Sequence, residues 1–224
     1  MNWVAENTGL ILGLTLQHLR LAVLPIVLGF VVALPLGYLA YRYRVTRGVL
    51  LTVAGLLYTI PSLALFVVLP TITGLSMLSE ANVVIALTIY AVAIMARSIA
   101  DALDSVDPDV RQAATALGYS GWRRFWAVEF PLAGPVMLAG LRVVAVSTIA
   151  LVTVGILVGV QSLGYLFTNG FQRRILEEVL TGVVMTMAIA LLVDLLLALA
   201  GRALMPWTRA SGTAPRPVLA EAAG

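Results

Sequence analysis

Val179-Leu180-Thr181-Gly182-Val183-Val184-Met185-Thr186-Met187-Ala188-Ile189-Ala190-Leu191-Leu192-Val193-Asp194-Leu195-Leu196-Leu197-Ala198-Leu199-Ala200-Gly201 is an apolar run with a single charge, Asp194. A helix of roughly 20 such residues, rising about 1.5 Å each, crosses a hydrocarbon core of about 30 Å. Around a helical turn it is apolar on every face, which suits lipid and not water. Four more stretches read the same way: Leu19 to Tyr41, Val49 to Pro70, Asn82 to Ala100 and Gly134 to Leu157. Of the 224 residues 61% are hydrophobic and 11% charged, with a mean hydropathy of +1.01. A soluble domain carries about 25% charged residues, so this chain has too few charges to cover a water-facing surface. The expected fold is an all-α integral membrane protein of about five transmembrane helices.

The arginines orient those spans. Arg42, Arg44 and Arg47 follow the first span, Arg111, Arg123 and Arg124 lie between the third and fourth, and Arg202, Arg209 and Arg216 follow the fifth. With five spans these nine share one side, against Arg20, Arg173 and Arg174 on the other, the last two diluted by Glu177 and Glu178. Basic residues stay cytoplasmic, so the N-terminus is expected outside and the C-terminus inside. The expected organisation is an external segment over 1–18, a membrane domain over 19–201 and a cytoplasmic tail over 202–224. The tail is rich in Ala, Pro and Gly and reads as disordered. Met1 to Glu6 lacks a basic n-region, so no cleavable signal is expected and insertion falls to the first internal span.

Several chemistries are excluded. There is no cysteine, hence no disulfide, zinc–thiolate site or thiol nucleophile. His18 is the sole histidine, placed at the edge of the first span as an interfacial side chain, so neither a metal site nor an intramembrane enzyme is expected. The basic residues are all arginine and the pI is about 9.6, yet they follow topology instead of clustering, which argues against nucleic acid. An ion-driven secondary transporter would show repeats and midplane charges; no repeat is evident. Pro25, Pro35 and Pro61 each remove a helix hydrogen bond, which membranes tolerate where neighbours or water satisfy the freed carbonyl. Gly155 and Gly159 form a GxxxG pair suited to close helix packing.

The long loop between the third and fourth spans carries more structure than a connector needs. It reads Asp104-Ser105-Val106-Asp107-Pro108-Asp109-Val110-Arg111-Gln112-Ala113-Ala114-Thr115-Ala116-Leu117-Gly118. Asp107 suits an N-cap and Pro108 the first helical position. Gly118 suits the left-handed position that ends a helix. Val110, Ala113, Ala114 and Leu117 fall on one apolar stripe, with two alanines making a shallow face that another protein can approach. A second short helix with Trp122 and Trp126 is expected to start after Ser120 and end before Pro131. Both helices could also lie on the bilayer; docking to a cytosolic partner is the stronger reading.

This loop resembles the EAA motif of the permeases of binding-protein-dependent ABC transporters, the transmembrane subunits of type I importers. That pattern is Glu-Ala-Ala, three residues, Gly, nine residues, an aliphatic, one residue, then Leu-Pro. Here stand Gln112-Ala113-Ala114, three residues, Gly118, nine residues, Val128, Glu129 and Phe130-Pro131. Gln112 replaces the glutamate and Phe130 the leucine. The resemblance implies that Gln112, Ala113, Ala114, Leu117 and Gly118 belong to a coupling helix that seats in a cytosolic ABC ATPase. It also implies a second permease subunit, identical or related, an extracytoplasmic solute-binding protein, and a bacterial inner membrane around the whole. The chain lacks a Gly-rich loop ending in Gly-Lys-Ser/Thr, so ATP is expected on the partner, with no cofactor in this chain.

Thr59-Ile60-Pro61-Ser62-Leu63-Ala64-Leu65, Val106-Asp107-Pro108, Pro131-Leu132-Ala133-Gly134-Pro135-Val136, Ala139-Gly140-Leu141-Arg142 and Asp194 are similar to the osmoprotectant branch of that family. The branch implies glycine betaine, choline, carnitine or proline as solute. Gly159-Val160-Gln161-Ser162-Leu163-Gly164 departs from the branch's glycine-rich run. Methionine-type permeases, which share Ile-Pro-Ser and the EAA features, are the alternative. Arg142, Asp194 and Pro61 are the candidates for a translocation path. An Arg142–Asp194 pair or snorkelling to headgroups would serve structure instead, and Arg97 with Asp101 has the spacing of a helix-surface pair.

Overall fold

A computed structural model describes residues 2–208. A short α1 (Asn2–Glu6) leads into α2 (Thr8–Arg42), an uninterrupted helix of 35 residues. Residues 8–18, expected to precede the first span, are continuous with it in this helix. Pro25 and Pro35 stay inside this helix without ending it. α3 (Arg44–Thr59) and α4 (Ser62–Thr73) divide the second expected span, with a bend of 104° between them. The helix hydrogen bond expected to be lost at Pro61 becomes a corner in the structure. Proline at α4's N-cap has no N–H to continue α3, and the Tyr90 hydroxyl donates to the Ile60 carbonyl at 2.5 Å.

α5 (Glu80–Asp104) is the central helix, buried along much of its length and packed on α2, α3 and α8 (Phe130–Val152). Its approach to α2 is set by small residues. A Cβ added at Gly29 would stand 2.3 Å from the Ala91 Cβ, and one at Gly37 would stand 2.6 Å from the Ile99 Cβ. With Ala33 fully buried between them, Gly29, Ala33 and Gly37 form a small-residue seam at four-residue spacing. The GxxxG pair singled out in the sequence has a different role. Gly155 lies in a 3-10 turn, Thr153–Val158, and Gly159 closes that turn at φ +83°. Gly159 is needed for its backbone conformation and the pair makes no helix–helix seam.

Two apolar clusters stack along the bundle. One gathers Leu21, Phe66, Leu87, Ile149 and Leu163; the other gathers Met95, Ile99, Leu103, Phe125 and Val144. His18 sits within the bundle and is fully buried, a correction to its expected interfacial place. At the passage from α8 to the 3-10 turn, the Thr153 N–H bonds to the Ala150 and Leu151 carbonyls. That leaves the Ile149 carbonyl short of its helical donor, and the His18 Nε2–H fills the place at 3.0 Å. After that turn come α9 (Gly164–Arg173) and α10 (Leu176–Leu204).

α10 matches the fifth expected span. Of the tail expected from residue 202, the first residues continue α10 to Leu204 and form one further turn to Thr208. Residues 209–224, with Arg209 and Arg216, lie outside the described residues. The described part thus has four helices long and apolar enough to cross a membrane, and a fifth span if the α3–α4 corner counts as one. Ion pairs mark its two ends. Arg47 pairs with Asp101 at 3.0 Å and with Asp104, while Arg20 meets Glu80 at 2.8 Å at the opposite end. Arg97 reaches Asp101 only at 3.9 Å, so the expected helix-surface pair is the weaker claim on that carboxylate.

Candidate functional site: the capped loop helix and the intramembrane ion pair

Local chemistry sets both ends of the loop helix. In α6 (Pro108–Ala116) the Asp107 carboxylate accepts from the Asp109 N–H at 2.8 Å, and proline occupies the first turn. At the other end Gly118 adopts φ +83°. Its N–H reaches the Thr115 carbonyl at 3.0 Å, and the Tyr119 N–H reaches the Ala114 carbonyl at 3.1 Å. These two bonds are the Schellman pattern, which requires a left-handed residue where Gly118 stands.

The expected apolar stripe divides into two. Val110, Gln112, Ala113, Leu117 and Gly118 are exposed, Leu117 at 78% of its surface, whereas Ala114 is buried. Ala114 therefore faces its own chain, and its expected contact with a partner is corrected. Its methyl is small enough to let α6 sit close to α7 (Gly121–Arg124) and the π-helical turn Phe125–Glu129. The outward surface is the ridge of Val110, Ala113 and Leu117, flanked by Gln112.

Side chains that the sequence reading missed hold this helix. Arg124 donates from Nε to the Glu129 carboxylate at 2.7 Å and from Nη1 to the Thr115 hydroxyl at 2.8 Å. Glu129 is buried, so the Arg124 guanidinium both neutralises it and fastens α6 to the base of α8. Arg111 donates to the Tyr41 hydroxyl and lies over the same ring at 5.7 Å, fastening α6 to the end of α2. The helix after Ser120 was expected to stop before Pro131. It runs on instead through the π turn, where the Phe130 N–H bonds to the Phe125 carbonyl, into α8. Pro131 is tolerated in the first turn of α8. α7, the π turn and α8 thus form one continuous helix from Gly121, to which the Arg124–Thr115 bond ties α6.

The second candidate is the pair inside the membrane. Arg142 of α8 meets Asp194 of α10 through two hydrogen bonds, Nε to Oδ1 and Nη2 to Oδ2, each 2.6 Å. The expected pair forms, in the bidentate geometry that suits guanidinium and carboxylate. Pro61 stands apart from it, exposed at the α3–α4 corner, with Tyr58 edge-on to Tyr90 at 6.0 Å nearby. Among the described residues no group of acidic or histidine side chains could hold a metal ion.

Comparison with known proteins gives the following matches. Residues 25–210 match the family described as binding-protein-dependent transport system inner membrane component. The osmoprotectant import permease protein OsmW of Salmonella typhimurium is 32% identical over 202 residues, covering 88% of this chain and 93% of that protein. The glycine betaine/carnitine/choline transport system permease protein OpuCB of Bacillus subtilis is 27% identical over 206 residues, covering 92% and 94%. In structure, an inward-facing form of the MetNI methionine ABC transporter superposes with a TM-score of 0.80 at 21% identity. It covers 89% of this chain and 98% of that one. At that identity the likeness carries the fold and not the solute.

Proposed function

The chain belongs to the family of binding-protein-dependent transport system inner membrane components, and from that premise we propose that it is the permease subunit of an ATP-driven importer of osmoprotectants of the glycine betaine, carnitine and choline type. Its relative at 32% identity is an osmoprotectant import permease and its relative at 27% a glycine betaine/carnitine/choline permease, each matched over nearly its whole length. The observation that carries the coupling role is the outward ridge of Val110, Ala113 and Leu117 on a helix capped at both ends and tied into α8. The ridge docks a cytosolic ATPase; the described chain offers no phosphate-binding glycine loop of its own. A second permease subunit and an extracytoplasmic binding protein complete the assembly. The arginine-rich face, with Arg47, Arg111 and Arg124, lies in the cytoplasm, with the N-terminus outside and the C-terminus inside.

Two measurements test this reading. Uptake of labelled glycine betaine by cells carrying this chain with its ATPase and binding protein should compete with carnitine and not with methionine. Competition by methionine alone would sink the solute assignment. For coupling, Ala113→Asp places an unpaired charge on the docking ridge, and ATPase co-purification should fall while the permease itself is made at the normal level. Gly118→Val forces a β-branched residue into the left-handed region, a strain on the order of 1–2 kcal/mol, and should loosen the same contact. Unchanged co-purification in both variants would mean that the ATPase binds elsewhere.

A further inference from the structure

Arg142 and Asp194 are the charged pair that the coupling machinery leaves unused. Asp194 stands seven residues before Gly201, where the apolar run ends, or about 10 Å at about 1.5 Å per residue, within the span. Both side chains remain accessible there, Arg142 at 41% and Asp194 at 28%. Their helical neighbours, Val143, Val146, Leu191 and Leu195, are exposed and apolar. Ionised groups at such depth face a bundle interior or an aqueous cavity. Lipid would leave the open edge of this pair without polar partners.

The guanidinium is also only partly used. Of its five N–H donors, the two bonds to Asp194 employ Nε and Nη2, and Nη1 has no partner among the described residues. Nη1 is not a buried orphan either, since the buried unpartnered side-chain atoms are His18 Nδ1 and Glu178 Oε2. The pair therefore presents, side by side at an accessible edge, the free Nη1 donor and a carboxylate whose sole hydrogen-bond partner among the described residues is that arginine.

We propose that this pair is a solute-exchange site on the translocation path, built for a zwitterion with a carboxylate and a quaternary ammonium. The solute's carboxylate takes the Arg142 guanidinium, starting at the free Nη1, and its ammonium lies against the Asp194 carboxylate. One internal ion pair is exchanged for two pairs with the solute, so no charge is left alone in the membrane. A solute of net charge, choline included, would strand Arg142 or Asp194 without a counter-ion, which is costly at that depth, so within the proposed solute range the site takes the zwitterions glycine betaine and carnitine. When the solute leaves, the bidentate contact re-forms and closes the site. This rests on the osmoprotectant reading above, and deepens it by naming the residues that meet the solute.

The test uses the assembled transporter, permease with its ATPase and binding protein, in proteoliposomes with labelled glycine betaine. Asp194→Asn keeps the shape and a hydrogen bond to Arg142 but removes the charge that meets the ammonium. Because this leaves Arg142 without its counter-ion, uptake is read per assembled complex, and it should fall at least about tenfold, as when one charged partner is removed from a buried pair. The double change Arg142→Met with Asp194→Leu replaces the pair by an apolar contact, which suffices for a mere clamp. It should assemble and fail to transport. Wild-type uptake in Asp194→Asn, or in an assembled double variant, would overturn the site, as would losses that track complex yield. A wild-type complex that carries methionine but no zwitterionic quaternary solute would overturn the solute reading itself, a result distinguishable from either variant's.

Discussion

α5 and α10 are both long, apolar helices, yet they occupy opposite places in the bundle. In the most apolar stretch of α5, 56% of residues are buried; in that of α10, 6% are. Hydropathy does not separate them, because lipid is as apolar as a leucine-rich core. Side-chain size does. α5 presents Ala86, Ala91, Ala96, Ala100 and Ala102 to its neighbours, all essentially fully buried. α10 presents Leu191, Leu192, Leu195, Leu196 and Leu199 outward. Small residues let backbones approach, so dispersion and packing accumulate where they lie. The bulky helix is left with a surface for lipid or a second subunit, interrupted by the Arg142–Asp194 contact.

The largest effect should come from the α2–α5 seam. Gly37→Leu would drive a side chain into Ile99 and to within 2.9 Å of the Ala96 carbonyl at its first carbon alone. Backbone cannot yield there as a side-chain tip can. Overpacking costs about 1–3 kcal/mol and more where nothing can move, so no monodisperse protein should be recovered in detergent. A normal gel-filtration peak from this variant would break the claim that the seam sets the core.

Next comes Met95→Ala in the middle of α5, where Met95 is fully buried. In water such a truncation costs about 2–5 kcal/mol, the sum of a transfer and a cavity contribution. In a membrane the transfer part is small, because the removed methylenes would otherwise contact lipid tails. The cavity part remains. The expected cost is therefore near the low end, about 2 kcal/mol, measured as a fall in unfolding midpoint for the detergent-solubilised protein.

The same contrast explains what could be read from sequence. Capping is local, so Asp107, Pro108 and Gly118 disclosed both ends of α6 without any tertiary information. The spans were legible because a long apolar run has one physical meaning at that length. The corner at Pro61 was legible in position but not in angle, since a missing N–H says where a helix stops and not where the chain goes next. Ala114 was misassigned because a stripe of small apolar residues has no mark for which neighbour it faces. Arg124 and Glu129 were overlooked because neighbours on an α-helix stand three or four apart. Theirs is a spacing of five, which the π turn Phe125–Glu129 brings together. The Gly155–Gly159 spacing misled for the opposite reason: the motif was present, but a 3-10 turn replaced the helix it needed.

Gly201 on α10 gives a smaller effect. A Cβ there would meet the Leu138 Cδ2 at 2.1 Å and the Met205 Cε at 3.3 Å. Both are free ends of flexible side chains, unlike the backbone carbonyl facing Gly37. Gly201→Ala should therefore cost about 1 kcal/mol or less, partly offset by alanine's better helix propensity, worth about 1 kcal/mol against glycine. An unfolding midpoint within a few degrees of wild type is expected, and a collapse like that of Gly37→Leu would mean that α10 is as rigidly held as α5.

The smallest effect should follow truncation on the outward face of α10. Leu191 and Leu195 are exposed at 67% and 54%, one turn apart and on either side of Asp194 in sequence. Leu191→Ala and Leu195→Ala remove side chains that point away from the chain's own core and leave no cavity inside it. Alanine is also the better helix former. Each should change the stability of the isolated subunit by no more than about 0.5 kcal/mol, against about 2 kcal/mol for Met95→Ala. If the second permease subunit packs on this face, the double variant should instead raise the fraction of single permease subunits in the detergent-solubilised transporter, with the unfolding midpoint unchanged. A loss of unfolding midpoint matching that of Met95→Ala would show that α10 is part of the core, and the contrast between the two helices would fall.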